Sequence, residues 1–250
     1  MRRAAVVCVA AMLLALGGMR MEAAGSYPSE HKTLAGNPRP SEHETLAEGN
    51  AAMKWTAVEL SMKPRNDDPA APWKVRLEAD GAGTYSESGT ATSATMPLTV
   101  SVVTLERVRQ GEHAARSGKC ETKAKNIAQT GEKTIRFEEA GKVAECTFNY
   151  SDDQGLTGAL AAFQAVAETM QFGERLQHDQ RYDRLGLDAE IDSLLEAKQG
   201  GRAIEIENIA PVLQALVEDD HVIDRVRRKA ARLLQDAGVP APAGYDSSEE

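Results

Sequence analysis

The stretch WKVRLEAD, Trp73 to Asp80, alternates apolar and charged residues without a break. Trp73, Val75, Leu77 and Ala79 fall on one side, and Lys74, Arg76, Glu78 and Asp80 on the other. Successive side chains of a strand point to opposite faces, so this pattern fits a strand with one buried and one wet face. TAVELSM repeats the period with Val58, Leu60 and Met62 inward. EKTIRFEEAGKVAECTFNY repeats it twice, as a hairpin: Ile135 and Phe137 face in, Ala140-Gly141 turns the chain, and Ala144, Cys146, Phe148 and Tyr150 return on one face. Asp80-Gly81 marks another tight turn, with a bulge at Gly83. Between these blocks, Leu98 and Val100 suit a short strand. It runs into a helix with Val102, Leu105 and Val108 on one face, ending near Ser117-Gly118.

Beyond the SDDQG turn the apolar period lengthens. Leu156, Leu160, Phe163, Ala167 and Met170 recur at three and four residues, which predicts an amphipathic helix ending near Phe172-Gly173. Three further helices follow. The first takes Asp188 as cap, Ile191, Leu194 and Leu195 as its apolar side, and Gly200-Gly201 as its stop. The second opens at Pro211 and carries Val212, Leu213, Leu216 and Val217. The third is capped by Asp219 or Asp220, turns Val222, Ile223, Val226, Ala230, Leu233 and Leu234 inward, and stops at Gly238 and Pro240. The expected architecture is α+β: an antiparallel sheet with helices on one face over residues 52–176, a small all-α helical module over 177–237, and an acidic tail over 238–250.

The first residues, MRRAAVVCVAAMLLALGGMRMEAAGS, place two arginines before an uncharged apolar run and then small residues. That is the layout of a secretory signal peptide covering residues 1–25. Cleavage after Gly25 fits it, and cleavage after Gly17 meets the same small-residue rule. Export to a periplasm or beyond is expected. No later run is apolar for the length a membrane span needs. The chain carries −9, and the leader is itself net positive, so the exported form is more acidic still. Such a surface repels phosphate backbones, and a nucleic-acid partner is not expected. Residues 26–51 read Pro-Ser-Glu-His-X-Thr-Leu-Ala twice in a Pro-, Ser- and Glu-rich arm, with no apolar face to bury. His31 and His43, with Glu30 and Glu42, are metal candidates there. Two histidines on an unfolded arm fall short of the four fixed ligands of a structural zinc site, so a tether is the favoured reading.

With Cys8 inside the leader, Cys120 and Cys146 remain. In an oxidising compartment the pair reads as one disulfide, closing a loop of about 26 residues and worth roughly 3–4 kcal/mol. No nucleophile elbow, phosphate loop or His-Glu-X-X-His pattern occurs, and no cofactor is expected. The densest polar cluster is QHDQRYDRLGLDAE at the junction of the two folded parts. His178, Asp179 and Asp183 are its catalytic candidates, set against the reading of a solvated connector. On the last helix Arg225, Arg228, Lys229 and Arg232 share a face that could dock an acidic partner, or pair with the chain's own acids. Trp55 and Trp73, on neighbouring strands, suit either the core or a ligand face.

Two resemblances follow from these residues. APVLQALVEDDHVIDRVRRKAARLLQDAG resembles one HEAT repeat, with paired leucines, Asp219, Val226-Arg227, Ala230 and Leu233-Leu234. In that family two antiparallel helices stack in arrays that bind other proteins, although no second copy occurs here. KVRLEADGAGTYSESG is similar to the strand, Asp-Gly-X-Gly-Thr, strand hairpins of small exported bacterial domains of unknown function, and implies a fold but no activity. The favoured function is a noncatalytic binding or structural module of the cell envelope or secretome, with another protein as partner. Two alternatives stay open: a hydrolase using His178, Asp179 and Asp183, and a small-ligand or metal carrier.

Overall fold

The computed structural model describes residues 55–65, 67–88, 95–123 and 127–242. The leader, the arm with His31 and His43, and the last residues of the acidic tail lie outside the described residues. The alternating segments form strands β1 (Ala57–Lys63), β2 (Trp73–Glu78), β3 (Ala82–Glu87), β4 (Met96–Thr99), β5 (Glu132–Glu139) and β6 (Lys142–Phe148). They make one antiparallel sheet in the order β4-β3-β2-β1-β5-β6, a four-stranded meander with the β5–β6 hairpin added beside β1.

Register turns the sequence alternation into layers. Leu60 lies between Val75 and Ile135, and Val58 between Leu77 and Phe137, and these six side chains are fully buried or nearly so. Each contributes roughly 1.5–3 kcal/mol of transfer free energy. The opposite face carries charges that alternate across strands: Arg76, Glu59, Arg136 and Glu145 stand in one row. Arg76 binds Glu138 at 3.0 Å and Lys74 binds Glu59 at 3.2 Å, so this wet face cancels its own charge.

Helices cover the apolar face. The meander leads into α1 (Val102–Arg109), capped by Ser101, and α2 (Glu112–Ser117), which ends on Gly118 at φ +65°. Cys120 follows and is bonded to Cys146 of β6, with Cα atoms 6.2 Å apart and both residues buried. The long helix α3 (Gln154–Tyr182) takes Asp153 as N-cap, its carboxylate accepting from Leu156 N at 2.8 Å. Its buried stripe includes Leu156, Ala159, Phe163, Val166 and Met170. Then come α4 (Leu187–Gln199), a 3-10 turn (Ile206–Ile209), α5 (Ala210–Glu218) and α6 (Asp224–Asp236), with α5 and α6 packed as a pair.

Several expectations are corrected. The long helix does not stop at Phe172-Gly173; it runs to Tyr182, so residue 176 lies inside it, and Leu176 is fully buried. Gly173 serves contact instead. A Cβ there would stand 2.6 Å from Ile209 Cγ2, so glycine lets the 3-10 turn close on α3. Asp188 is no cap, because Gly186 starts α4 and Asp188 pairs with cations of α6. Neither Asp219 nor Asp220 caps α6, which begins after Ile223; Asp219 instead accepts from His221 N in the preceding turn. Val102 and Ile223 are exposed rather than core residues.

Candidate functional site

The junction cluster sits at the free end of α3. His178 Nδ1 lies 3.2 Å from Asp179 Oδ1, and the His178 ring tilts against Tyr182 at 5.0 Å. Residues adjacent in sequence diverge around a helix. The contact is therefore local, and the imidazole stays about two-thirds exposed. Asp183 ends the helix, and its Oδ1 accepts from Gly186 N at 3.2 Å. None of His178, Asp179 and Asp183 lines the grooves at Met62–Trp73, at Lys63–Arg65 or at Ala115–Gly118. A general base beside a bound substrate needs convergence and a third group to orient it, and the helix end brings neither.

Around these polar groups the chain exposes apolar side chains. Tyr182 is 76% and Leu185 94% exposed. The turn that carries them is tied down: Asp183 N donates to Asp179 O at 2.9 Å, Gly186 N to Asp183 O at 2.9 Å, and Arg184 Nε to Gln180 O at 3.1 Å. Gln180 Nε2 reaches Asp219 at 3.2 Å, which draws the α5–α6 turn to the same end. That turn brings half-exposed Ile223. It also gathers Asp219, Asp220 and His221, whose ligand atoms all lie within 4.8 Å of one another.

The basic face of α6 is largely spent inside the molecule. Arg225 meets Asp188 at 2.7 Å, and Lys229 bridges Asp188 at 3.0 Å and Asp192 at 2.6 Å. The Lys229 hydrogen bond holds the Asp188 carboxyl below its usual range. Burial works against the Lys229 charge, but its bonds to Asp192 and Asp188 outweigh that and raise its pKa. Arg228 pairs with Asp224 at 3.0 Å, whereas Arg232 is exposed with no partner among the described residues. The Arg225 and Lys229 pairs tie α4 to α6, and the Arg228 pair lies within α6.

Sequence reasoning missed the contact that joins the helical half to the sheet. Glu205 holds φ +56° and sends its carboxylate to the start of α1, accepting from Ser101 N at 3.0 Å, Ser101 Oγ at 2.7 Å and Thr104 Oγ1. Burial pushes this carboxyl up, but those bonds and one shared with Glu207 more than reverse it, while burial raises Glu207. Asn208 adds a two-pronged bond: its Oδ1 accepts from Thr99 N at 2.7 Å and its Nδ2 donates to Thr99 O at 2.9 Å. No local pattern signals pairs 109 residues apart.

A groove of about 520 Å³ lies between α3, the Met62–Trp73 end of the sheet and the Gly201-Arg202 turn, and of the two tryptophans weighed as a ligand face it includes Trp73. Beside it Tyr85 donates to Glu87 at 3.0 Å, and Glu174 shares a hydrogen bond with Glu87. Burial first, and then the Glu87 charge, raise the Glu174 carboxyl above its ordinary value. Trp55 is not part of this groove. It is 1% exposed and meets Phe137 edge-on at 6.2 Å.

Fold and surface together define an α+β protein whose six-stranded antiparallel sheet is followed by a helical half. No protein family's sequence profile matches the chain, and no curated protein matches it. Among the described residues no helix is long and apolar enough to cross a membrane.

Proposed function

We propose that the chain is an exported, noncatalytic binding module that recognises another protein of the cell envelope or secretome through the free end of its helical half. The observation that carries this reading is Leu185, 94% exposed, with Tyr182 at 76%, on a turn held by its own backbone and by Arg184. A single exposed leucine on a loose loop is ordinary. Here a tyrosine and a leucine stand exposed on one ordered turn, with the His178 ring against Tyr182 and Arg184 between them in the chain. Apolar anchors held in place inside a polar rim are the usual make-up of protein–protein contact centres. Because the turn is already ordered, binding forfeits little conformational entropy.

The test is site-specific photocrosslinking from exposed position 181, beside the turn, in the native envelope fraction, with the probe placed both in the otherwise native protein and in a Tyr182→Ser/Leu185→Ser variant of unchanged melting temperature. The reading expects one dominant crosslinked protein, lost with the double substitution. Equal capture by both proteins would overturn it. Export belongs to the same reading, and N-terminal sequencing of the native protein should find residues 1–25 removed.

A further inference from the structure

We infer that the groove between α3 and the Met62–Trp73 end of the sheet is a binding site for a neutral, hydroxyl-rich ligand of the oligosaccharide class. It uses different residues from the apolar helix end and stands independently of the function proposed above. The sheet itself marks the place. The rows Val75–Leu60–Ile135 and Leu77–Val58–Phe137 are closed under the helices, whereas the next row, Met62 with Trp73, is only partly buried. Half-buried Trp73 thus forms one wall of the groove, at a volume suited to a small ligand. The facing wall is α3, which offers Gln164, Glu168, Gln171 and Arg175 at helical spacing. The third wall is fixed by Thr169 Oγ1 donating to Ile204 O at 2.6 Å and Arg202 N to Ala197 O at 2.8 Å.

The chemistry of these walls selects the ligand. Arg202 is paired with Glu168, and Arg175 with Glu190 at 2.6 Å, so the cations have no surplus charge for an anion. What remains unspent is neutral. Neither the Gln164 amide nor the Trp73 indole N–H has a hydrogen-bond partner among the described residues. A primary amide both donates and accepts, which suits neighbouring hydroxyls, and an indole face takes the C–H side of a sugar ring while its N–H stays wet.

The experiment follows both indole N–H resonances by NMR in the full-length protein, with Trp73 assigned through Trp73→Phe. Maltotriose, cellotriose and triacetylchitotriose are titrated separately to about 20 mM, a range that captures millimolar dissociation constants. The inference expects at least one trisaccharide to move the Trp73 signal saturably and leave the core Trp55 signal in place. It further expects Gln164→Ala to weaken that binding about fivefold, the loss of one ordinary hydrogen bond, without shifting the melting temperature. No movement with any of the three would overturn it. So would equal shifts at both indoles, saturation unaffected by Gln164→Ala, or a response to citrate alone.

Discussion

Replacing Gly173 with alanine should destabilise this protein, against the rule for helix interiors. Alanine in mid-helix is ordinarily favoured over glycine by about 0.5–1 kcal/mol. At this site the new Cβ would stand 2.6 Å from Ile209 Cγ2 and 3.3 Å from Ile209 Cβ, where carbon pairs prefer about 3.5–4.0 Å. Ile209 is 3% exposed and β-branched, so its Cγ2 can leave only by a disfavoured χ1 rotation into packed neighbours or by a shift of the turn that leads into α5. Overpacking of this kind costs about 1–3 kcal/mol, leaving a net loss of about 0.5–2 kcal/mol. Ile209→Ala removes the obstructing methyl and alone costs about 2–5 kcal/mol. In that background Gly173→Ala should change sign and stabilise by about 0.5–1 kcal/mol. Urea unfolding of the four proteins measures the cycle, with an unchanged slope showing that only stability moved. Stabilisation by Gly173→Ala in the Ile209 protein, or additive effects, would refute the close approach of the 3-10 turn to α3.

Removing the disulfide as Cys120→Ala/Cys146→Ala should cost about 3–4 kcal/mol and lower the melting temperature by roughly 6–16 °C, and reductant should do the same to the native protein but not to the variant. Asn208→Ala leaves Thr99 N–H and C=O without their partner and should cost about 1–2 kcal/mol, with hydrogen exchange quickening at Thr99 ahead of β1 and β5. The Asp188 carboxyl lies below its ordinary 3.8 when folded. Its contribution is therefore present above pH 3.8 and is lost as pH falls through the folded value. Asp188→Asn should accordingly flatten the acid limb of the stability profile, and an unaltered limb would remove the Asp188–Lys229 pair from the account.

What was legible in the sequence was local. Strands β1, β2, β5 and β6 announce themselves through alternation within six to eight residues, and the β5–β6 hairpin adds its own turn, so the centre of the sheet, its inward face and the cysteine pairing could be read. The failures share one cause, contacts across long separations. Gly173 looks like a helix stop until Ile209, far along the chain, shows why it is small. Glu205 and Asn208 look like ordinary polar residues until Ser101, Thr104 and Thr99 meet them. The polar cluster at the end of α3 was visible as composition, but His178 and Asp179 meet only each other on an exposed helix end while Asp183 bonds to Gly186, so density in sequence did not become a shared pocket. The groove showed in sequence only as the ligand-face alternative at Trp73, because that residue follows its strand's apolar pattern and only its partial burial separates it from the core.

The grip of Asn208 on Thr99 has a consequence for the molecule among its own copies. β4 is the outer strand of the sheet, and an outer strand presents free backbone groups that can recruit a strand from another molecule. On this strand Pro97 has no N–H to offer, and Thr99, two residues on and facing the same way, has both backbone groups occupied by an amide side chain. The helical half therefore occupies pairing groups on this edge, one of the sheet's two. A chain cut before Asn208 would leave the Thr99 backbone groups open on that edge, with Pro97 as its remaining guard.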